Sequence, residues 1–324
     1  MILTLTLNPS IDRTARINAR LERGGVYRLP MPDDMAGGKG INVSEALFLA
    51  GYDTCALYPA AAHGRFSRLL GLAGIPHEAI DTGNDARINY TLVEDDGTTT
   101  KLNSLGMTMT KHQRYQVFNR LEVLAPAASW VVLAGSLPPG VPRDFYVACL
   151  RHIWSANPSA KIAIDTSDGP LYTVGKNLKL IAPTLLKPNA HEAGQMLGLN
   201  GDAIEQNALA GDYGLAVDAA RTLNDKGVDE VLITLGPAGA VLSVRDQPIY
   251  VATPPPITPV STVGAGDCTL AGYLLGRVGD KPLDECLALS MAYGAAATAL
   301  PSTQIPTPDL LRTSEATVTR YSAD

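Results

Sequence analysis

Short apolar runs separated by helical patterns constrain the fold of this chain more than any other feature. Four such runs lack polar alternation: Trp130–Gly135 (WVVLAG), Lys161–Asp165 (KIAID), Leu178–Pro183 (LKLIAP) and Glu230–Gly236 (EVLITLG). Strands that are buried on both faces of a parallel sheet have this composition. Helical patterns lie between them, in RDFYVACLRHIW, NAHEAGQMLG and AVDAARTLNDKG. Strand and helix therefore alternate, and we predict an α/β fold with a doubly wound, mostly parallel sheet.

Two segments depart from this alternation. Residues 13–35 and 87–105 alternate in the manner of antiparallel strands, and the second contains EDDGTT, a strong hairpin signal. We expect them to leave the main sheet and form one small accessory sheet. The predicted division is a main α/β domain of residues 1–12, 36–86 and 106–324, and an accessory sheet of residues 13–35 and 87–105.

Composition and charge disfavour several classes of partner. The 324 residues are 46% hydrophobic and 18% charged, which is enough for a sizeable core, and the net charge is −6. That charge disfavours nucleic acid and anionic membrane surfaces, which select a basic face. No apolar run reaches the roughly 18 residues of a membrane span without interruption by charged or turn residues, and no secretory signal is expected in MILTLTLNPSID. The four cysteines form no C-x-x-C pair, so we expect reduced thiols and a cytoplasmic location.

The stretch Ser261–Gly276, STVGAGDCTLAGYLLG, has the strongest chemical signal. Gly264 and Gly266 expose the backbone, and the apolar spacing that follows predicts a helix that begins at the glycines. Unpaired N–H groups at a helix N-terminus make a ready anion site. Asp267 falls in the first turn, where the helix dipole is expected to lower its pKa. A weak base of this kind suits phosphoryl transfer, in which orientation of the attacking hydroxyl matters most. The alternative is a carboxylate that only complements the helix dipole.

A second glycine-rich stretch, Met35–Val43 (MAGGKGINV), places Lys39 and Asn42 just before a helix that should end at Gly51. This pattern suits a phosphate or sugar hydroxyls, although it is not a P-loop, because G-x-x-x-x-G-K-[ST] is absent. The alternative is an ordinary helix-start loop with a solvated lysine.

Three further motifs are individually ambiguous. Asp12 in NPSID follows the first strand, where α/β proteins bind ligands, or it closes an Asx turn. Asn189 and Glu192 in LKPNAHE could hold magnesium through water, or form a helix capping box. The motif TLGPAGA, Thr234–Ala240, is either a nucleotide-binding loop or a simple hairpin. Separately, Arg87 could bind a phosphate in bidentate fashion.

In order and combination, these motifs resemble those of the ribokinase-like sugar kinases of the PfkB family, in particular its phosphofructokinase and tagatose-phosphate kinase branch. The matching stretches are TLNPSID, GGKGINV, RIN, GSLPPGV, LKPNAHE, TLGPAGA and STVGAGD, which run in this order from residue 6 to residue 267. The resemblance implies a three-layer α/β/α sandwich with a β-sheet lid, formed by the two departing segments, that often also joins two copies as a dimer. It also implies ATP and Mg²⁺ as cofactors and a small sugar phosphate as substrate.

The resemblance also assigns roles to individual residues. Asp267 would be the catalytic base, and the amides of Gly264, Ala265 and Gly266 would bind the transferring phosphoryl group. The residues implied for the sugar and its phosphate are Asp12, Gly38, Lys39, Asn42, Arg87, Asn103 and Ser136. The residues implied for ATP are Lys187, Asn189, Glu192, Thr234, Gly236 and Gly239, with Asn189 and Glu192 also holding magnesium through water.

The implied activity is an ATP-dependent hexose-phosphate kinase, and Lys39 in GGKG favours fructose 1-phosphate, phosphorylated at C6. The alternatives in the same family are tagatose 6-phosphate and fructose 6-phosphate, phosphorylated at C1. Lys101 departs from the branch, whose members often have an acidic residue there, so it leaves the exact substrate open. Two alternatives of other classes are a non-catalytic sugar-binding regulator and a dinucleotide-dependent oxidoreductase. The oxidoreductase is disfavoured because no G-x-G-x-x-G follows the first strand.

Overall fold

The computed structural model describes residues 1–29 and 31–322 of the chain. Residue 30, within the predicted accessory segment, and residues 323–324, within the predicted main domain, lie outside the described residues. The strands are β1 (Ile2–Thr6), β2 (Ser10–Arg16), β3 (Asp33–Gly37), β4 (Thr54–Pro59), β5 (His77–Ile80), β6 (Arg87–Val93), β7 (Thr99–Asn103), β8 (Trp130–Ala134), β9 (Lys161–Asp165), β10 (Leu185–Leu186), β11 (Glu230–Thr234), β12 (Ala240–Val244), β13 (Tyr250–Thr253) and β14 (Thr317–Arg320). The helices are α1 (Lys39–Leu49), α2 (Arg65–Leu72), α3 (Lys111–Leu124), α4 (Phe145–Ala156), α5 (Asp168–Asn177), α6 (Ala190–Leu197), α7 (Gly201–Leu209), α8 (Gly214–Asp225), α9 (Ala265–Val278) and α10 (Leu283–Thr298).

Ten strands form the main sheet, in the order β14-β13-β12-β11-β10-β9-β8-β1-β4-β5. Every pair from β11 to β5 is parallel, and the pairs from β11 to β14 are antiparallel. The mostly parallel sheet predicted from the apolar runs is therefore confirmed. The carboxyl ends of its parallel strands share one edge, which is where α/β folds bind ligands.

Helices cover both faces of the main sheet, and the residues of β9 pack alternately against the helices on each face. Ile162 and Ile164 pack into a core with α3–α8, whereas Ala163 packs into a second core with α1, α9 and α10. Because side chains of a strand alternate between faces, a strand with helices on both sides needs apolar residues at consecutive central positions, here 162–164. The predicted three-layer sandwich is confirmed.

Four strands form a separate small sheet, in the order β3-β2-β6-β7. The outer pairs are antiparallel, as expected, but the central pair β2–β6 is parallel, so the purely antiparallel expectation is wrong. The reason is topological: β2 follows β1 and β6 follows β5, so both leave the same edge of the main sheet in the same direction. The predicted EDDGTT turn closes the β6–β7 hairpin through hydrogen bonds between Glu94 and Gly97 and between Glu94 and Thr98.

One predicted strand is wrong. The run Leu178–Pro183 follows directly on α5, and the strand that enters the sheet is Leu185–Leu186. Leu178 keeps helical angles and is buried, whereas Leu180 is 74% exposed, so the run is not buried on both faces. Apolar content alone could not distinguish a helix end from a strand. No helix in residues 1–29 and 31–322 is long and apolar enough to cross a membrane.

Helix α9 is anchored to the main sheet far from its first turn. Glu230, the first residue of β11, accepts hydrogen bonds from the Tyr273 hydroxyl at 2.7 Å and from Arg277 Nη2 at 2.6 Å. Its carboxylate is buried, and two donors compensate the cost of that burial. The contact fixes the C-terminal half of α9, whose other end begins the candidate site.

Candidate active site

Helix α9 begins at the predicted glycines. Gly264 caps it with φ of +79°, a left-handed conformation that favours glycine, and Ala265 is the first helical residue. The first-turn amides have no intrahelical acceptor and point out of the helix end. Asp267 lies in this same turn, so a carboxylate and an anion-binding end of the backbone lie side by side.

The Asp267 carboxylate is buried, with 6% of the residue exposed. Asn42 Nδ2, from α1, donates a hydrogen bond of 2.7 Å to its Oδ2 atom. Burial raises the pKa of Asp267 to about 6, although the charge of Lys39 opposes the rise. The expectation that the helix dipole would lower this pKa is wrong, because the loss of hydration inside the protein outweighs the dipole.

Asp165, the last residue of β9, was not predicted from the sequence to belong to the site. Its side chain is fully buried and lies between two ammonium groups. Lys39 Nζ is 2.6 Å from its Oδ1 atom, and Lys187 Nζ is 3.0 Å from its Oδ2 atom. Burial alone would raise the pKa of Asp165, but the charges of Lys187 and Lys39 outweigh burial and lower it.

Asp165, Asp267, Lys39 and Lys187 form a compact group of two carboxylates and two ammonium groups, here called the buried quartet. Burial alone would lower the pKa of Lys39, but the charges of Asp165, Asp267 and Glu192 raise it. Lys39 therefore stays cationic at neutral pH. Its side chain is 34% exposed whereas that of Lys187 is 4% exposed, so Lys39 reaches the solvent side of the quartet.

The first turn of α9 and the quartet face one common space. A Cβ atom built on Gly266 would lie 3.5 Å from Lys187 Nζ, and one built on Gly264 would lie 3.7 Å from Asn42 Nδ2. An anion held by the helix amides would therefore also meet an ammonium group. Backbone amides and cations that converge on one point are the arrangement that stabilises a transferring phosphoryl group.

The β11–β12 turn lies next to the start of α6. Thr234 forms a parallel bridge with Asn189, the residue that caps α6. Gly236 and Gly239 both have positive φ, and a Cβ atom on Gly239 would lie 1.7 Å from the Ala252 carbonyl oxygen. Only glycine fits at position 239 without displacing β13, so the motif TLGPAGA forms a tight hairpin, and its Thr234 lies beside the cap of α6.

Asn189 and Glu192 form the capping box that the sequence left as an alternative. Asn189 Oδ1 accepts the Glu192 amide at 2.8 Å, and Glu192 Oε2 accepts the Asn189 amide at 2.9 Å. This arrangement leaves Glu192 Oε1 unused by the cap. The Glu192 charge also contributes to the raised pKa of Lys39.

Three of the residues predicted for the sugar and its phosphate lie on the small sheet: Asp12, Arg87 and Asn103. Asp12 is inside β2 rather than at a main-sheet strand end, and its Oδ1 atom accepts a 3.0 Å hydrogen bond from Asn89 Nδ2. Arg87 begins β6 and donates to the Ser104 carbonyl oxygen at 2.6 Å, and Asn103 ends β7 with its side chain exposed.

The glycines of GGKG connect the small sheet to the quartet. A Cβ atom on Gly37 would lie 2.2 Å from Asp12 Oδ2, so β3 passes so close to the Asp12 carboxylate that only glycine fits there. Gly38 follows as the N-cap of α1 with φ of +123°, and Lys39 is the next residue. Ser136 lies just past β8, where its hydroxyl accepts a 3.2 Å hydrogen bond from Asn8 Nδ2.

A cavity of about 390 Å³ opens between α10 and the segment that leads into α9. Its lining is mostly apolar and includes Pro255, Ile257, Val260, Ala292, Ala296 and Leu310. The α10 residues that line the cavity are mostly alanines, whose small side chains do not fill it. Since residues 261–264 connect Val260 to the first turn of α9, the cavity lies within a few residues of the anion-binding end.

Sequence reasoning therefore missed Asp165 and the cavity. The signal for Asp165 was available, because it ends the predicted strand KIAID and acidic strand ends mark ligand sites in α/β folds. The cavity had no comparable signal, since its walls come from a helix and a proline-rich segment that are distant in sequence.

The chain matches the family model described as pfkB family carbohydrate kinase over residues 5–310. A 1-phosphofructokinase of Xanthomonas campestris is 33% identical over 295 residues, which are 90% of this chain and 89% of that protein. An ATP-dependent 6-phosphofructokinase isozyme 2 of Mycobacterium tuberculosis is 32% identical over 311 residues, 93% of this chain and 85% of that protein. The crystal structure of phosphofructokinase-2 from Escherichia coli in complex with substrates and products is similar, with a TM-score of 0.81 and 25% identity over 95% of this chain and 96% of that chain.

Proposed function

This chain belongs to the pfkB family of carbohydrate kinases, and we propose that it transfers the γ-phosphoryl group of ATP to the C6 hydroxyl of fructose 1-phosphate. The observation that carries the proposal is the buried quartet beside the first turn of α9. That arrangement joins a carboxylate of raised pKa to a site for a transferring anion. Several relatives similar over nine-tenths of the chain are named 1-phosphofructokinase, which supports this acceptor.

Asp267 is proposed as the base. With a pKa of about 6 it is ionised at neutral pH and accepts the proton of the attacking hydroxyl. The sugar oxygen forms a bond to the γ-phosphorus while the bond from that phosphorus to the departing ADP oxygen breaks. The proton of the hydroxyl ends on Asp267. The 2.7 Å hydrogen bond from Asn42 holds the carboxylate in position for this transfer.

Lys187, Lys39 and the amides of Gly264, Ala265 and Gly266 would stabilise the negative charge on the phosphoryl oxygens. Asp165 holds both ammonium groups in place before the nucleotide arrives, so they need not reorganise during the reaction. Its role is positioning, since it is fully buried and engaged by the two lysines.

ATP would place its base in the 390 Å³ cavity and its phosphates toward the first turn of α9. An apolar slot beside an anion site suits a purine that carries a polyphosphate. The β11–β12 turn, with Thr234, Gly236 and Gly239, would border the phosphates because it contacts Asn189.

Magnesium fits this site as a partner of the phosphates. Mg²⁺ is usually held by one or two carboxylates together with waters and substrate phosphates. Glu192 offers the Oε1 atom that its capping box leaves unused, whereas Asn189 Oδ1 is engaged by an amide and would act through water. When bound, the ion neutralises charge on the β- and γ-phosphates.

Two buried polar atoms on the small sheet support a polar substrate there. Arg87 Nε and Asn89 Oδ1 have no hydrogen-bond partner among the described residues. Buried groups of this kind are costly unless a partner satisfies them. A sugar phosphate would supply hydroxyl donors to Asn89 and Asp12 and a phosphate to Arg87.

Fructose 6-phosphate is the second candidate acceptor, since the Mycobacterium tuberculosis relative is named a 6-phosphofructokinase. Tagatose 6-phosphate stays an alternative from sequence. The family match favours a kinase over both the oxidoreductase and the non-catalytic regulator.

The small sheet is proposed to close over the sugar as a lid and to join two copies as a homodimer. Leu102, on the face opposite Asp12, is 56% exposed, and Leu105 is 80% exposed. These side chains would be covered in such a dimer. The cytoplasmic location stays a prediction.

The proposed acceptor is tested by ADP release with ATP and magnesium and a panel of fructose 1-phosphate, fructose 6-phosphate, tagatose 6-phosphate, fructose and ribose. We expect the highest kcat/KM with fructose 1-phosphate. A higher kcat/KM with fructose 6-phosphate or tagatose 6-phosphate would show that the acceptor hydroxyl is the one at C1 instead. Turnover of unphosphorylated sugars alone would show that the small sheet does not bind a phosphate.

Lys101 is expected to contribute to binding of the substrate phosphate. The register pairs Asp12 with Asn89, Asn89 with Asn103 and Thr91 with Lys101, so Lys101 lies on the Asp12 face. Burial raises the pKa of Asp12 despite the opposing charges of nearby Arg87 and Lys101.

We therefore expect Lys101→Glu to raise KM for fructose 1-phosphate about tenfold, which corresponds to a loss of about 1.4 kcal/mol of binding free energy. We expect kcat to change less than about threefold. The matched control is Lys161→Glu, a charge reversal at an exposed lysine. Lys161 begins β9, so it lies at the amino ends of the main-sheet strands, away from the candidate site. Equal KM values for Lys101→Glu and the wild type would show that Lys101 does not bind the substrate phosphate.

A further inference from the structure

Two buried hydroxyl groups converge on the backbone where β8 ends. The Gly135 carbonyl oxygen accepts a hydrogen bond of 2.8 Å from the Thr166 hydroxyl. The Tyr146 hydroxyl donates to the same Gly135 oxygen at 2.9 Å, and the Ala134 carbonyl oxygen lies 3.1 Å from it. Tyr146 is fully buried and Thr166 is 1% exposed, so water does not compete for the Gly135 carbonyl.

Gly135 is tied to the end of β9 on both of its sides. Its amide donates a 2.9 Å hydrogen bond to the carbonyl oxygen of Asp165, the residue directly before Thr166. On the carbonyl side, the Tyr146 hydroxyl is a constant donor, because burial raises its pKa well above the ordinary value and keeps it protonated at neutral pH.

Gly135 needs these contacts because its backbone is free to rotate. Its φ is +93°, a conformation that glycine adopts readily, and glycine has more alternative conformations than any other residue. A rotation of the peptide between residues 135 and 136 would turn the carbonyl outward and the Ser136 amide inward. The hydroxyls of Tyr146 and Thr166 oppose this rotation, since it would break both of their hydrogen bonds.

The direction of the Gly135 carbonyl sets the direction of the Ser136 amide. In a trans peptide the C=O group and the following N–H group point in opposite directions. The carbonyl points toward Tyr146, in the core that includes α4, whereas α1 packs into the core on the other face of the sheet. The Ser136 amide therefore points to the α1 side, and it has no acceptor within residues 1–29 and 31–322. A Cβ atom on Gly135 would lie 3.9 Å from Lys39 Cβ, so this amide lies near Lys39.

We propose that the hydroxyls of Tyr146 and Thr166, here called the hydroxyl pair, are positioning groups that direct the Ser136 amide at an oxygen atom of the bound sugar phosphate. The inference rests on the proposed function, because it assigns this amide to the same substrate. The hydroxyl pair acts through the backbone and does not touch the substrate. The amide is a fixed donor, since its direction is set before the sugar arrives.

The hydroxyl pair is tested with Tyr146→Phe, Thr166→Val and the double variant, which remove hydroxyls and keep the shapes of the side chains. Each single variant leaves one donor on the Gly135 oxygen, so we expect KM for fructose 1-phosphate to rise no more than about threefold. The double variant leaves the buried carbonyl without a partner, so the peptide rotates to solvate it and the Ser136 amide is lost from the site.

We expect KM of the double variant for fructose 1-phosphate to rise at least about thirtyfold, more than the product of the two single effects. Its kcat should stay within about threefold of the wild-type value, and KM for ATP should not change, because the phosphoryl-binding amides and lysines remain.

The control is Tyr58→Phe/Thr54→Val, which removes one tyrosine and one threonine hydroxyl from buried positions outside the site. These hydroxyls donate to Ser67 Oγ at 3.0 Å and to the Ile2 carbonyl oxygen at 3.0 Å. The control should lower the unfolding temperature and keep both KM values. Equal KM values for the two double variants, or an effect no larger than the product of the single effects, would overturn the proposal.

A second measurement does not depend on the sugar. Crystal structures of the wild type and the double variant, both without ligands, should show the Gly135 carbonyl pointing inward in the first and outward in the second. An inward carbonyl in both would overturn the positioning role even if the kinase assay fails with every sugar. An outward carbonyl in the double variant, with no sugar phosphorylated by the wild type, would keep the positioning role and reject the proposed acceptor instead.

Discussion

Asp267→Asn is expected to lower kcat for fructose 1-phosphate by about 10²- to 10⁴-fold, the range for a general base. Asparagine keeps the shape of the side chain but cannot accept the proton of the hydroxyl. KM for ATP should change little, because the amides and lysines that bind the phosphates remain. The unfolding temperature should be unchanged or higher, since the variant no longer buries a carboxylate whose pKa is raised by burial. Initial rates and a thermal melt measure both effects.

The matched control is Asp284→Asn, which removes an acidic residue from the first turn of α10. If Asp267 only complemented its helix dipole, the two variants would behave alike, with small losses of stability and full activity. A kcat for Asp267→Asn within threefold of the wild-type value would reject the assignment of the base.

The same residue sets a pH dependence. Because the carboxylate must be ionised to act, kcat/KM should fall as pH decreases through about 6 and stay level at neutral pH. The sugar phosphate also titrates near pH 6, so the profile needs a comparison. Asn42→Ala removes a hydrogen bond that lowers the pKa of Asp267, and it should move the acid limb to higher pH while the titration of the substrate stays fixed.

The second large effect is expected for Asp165→Asn. The change leaves Lys39 and Lys187 beside a neutral amide, and removal of one partner from a buried ion pair costs about 3–5 kcal/mol. Because Lys39 is 34% exposed, solvent screens part of the loss, so we expect the lower end of that range. We expect kcat/KM for ATP to fall about 10- to 1,000-fold as well, since the two ammonium groups lose their fixed positions.

Glu230→Gln separates the two consequences of Asp165→Asn. Glu230 is also a buried carboxylate with two donors, but it lies at the amino end of β11, away from the site. This control should lower the free energy of unfolding and leave kcat of the folded enzyme unchanged. If Asp165→Asn lost only stability, like the control, Asp165 would have no part in positioning the lysines.

Local patterns in the sequence were sufficient for most of the fold. KIAID and EVLITLG became β9 and β11, because helices cover both faces of these strands and their central positions, 162–164 and 231–233, are apolar. The run LKLIAP failed because an apolar helix end and a short strand have the same composition. The parallel β2–β6 pair could not be predicted from alternation, because strand direction depends on where each segment leaves the main sheet.

The site was predictable in its parts and less so in its electrostatics. The glycines and Asp267 were placed correctly at the start of α9, since helix starts have a local signal. The pKa of Asp267 was predicted in the wrong direction, because burial depends on α1 and β9, which are far away in sequence. Asp165 was missed for the same reason: its importance comes from Lys39 and Lys187, which meet it only in the folded chain.

The most direct test of the central assignment is the product formed from fructose 1-phosphate and ATP, followed by ³¹P NMR for the wild type and Asp267→Asn side by side. We predict that the wild type adds a second phosphate at C6 with one ADP per product, and that the folded variant forms almost none. Equal formation of the bisphosphate by both proteins would contradict the role of Asp267. ADP release by the wild type without any bisphosphate would contradict the proposed transfer to the sugar.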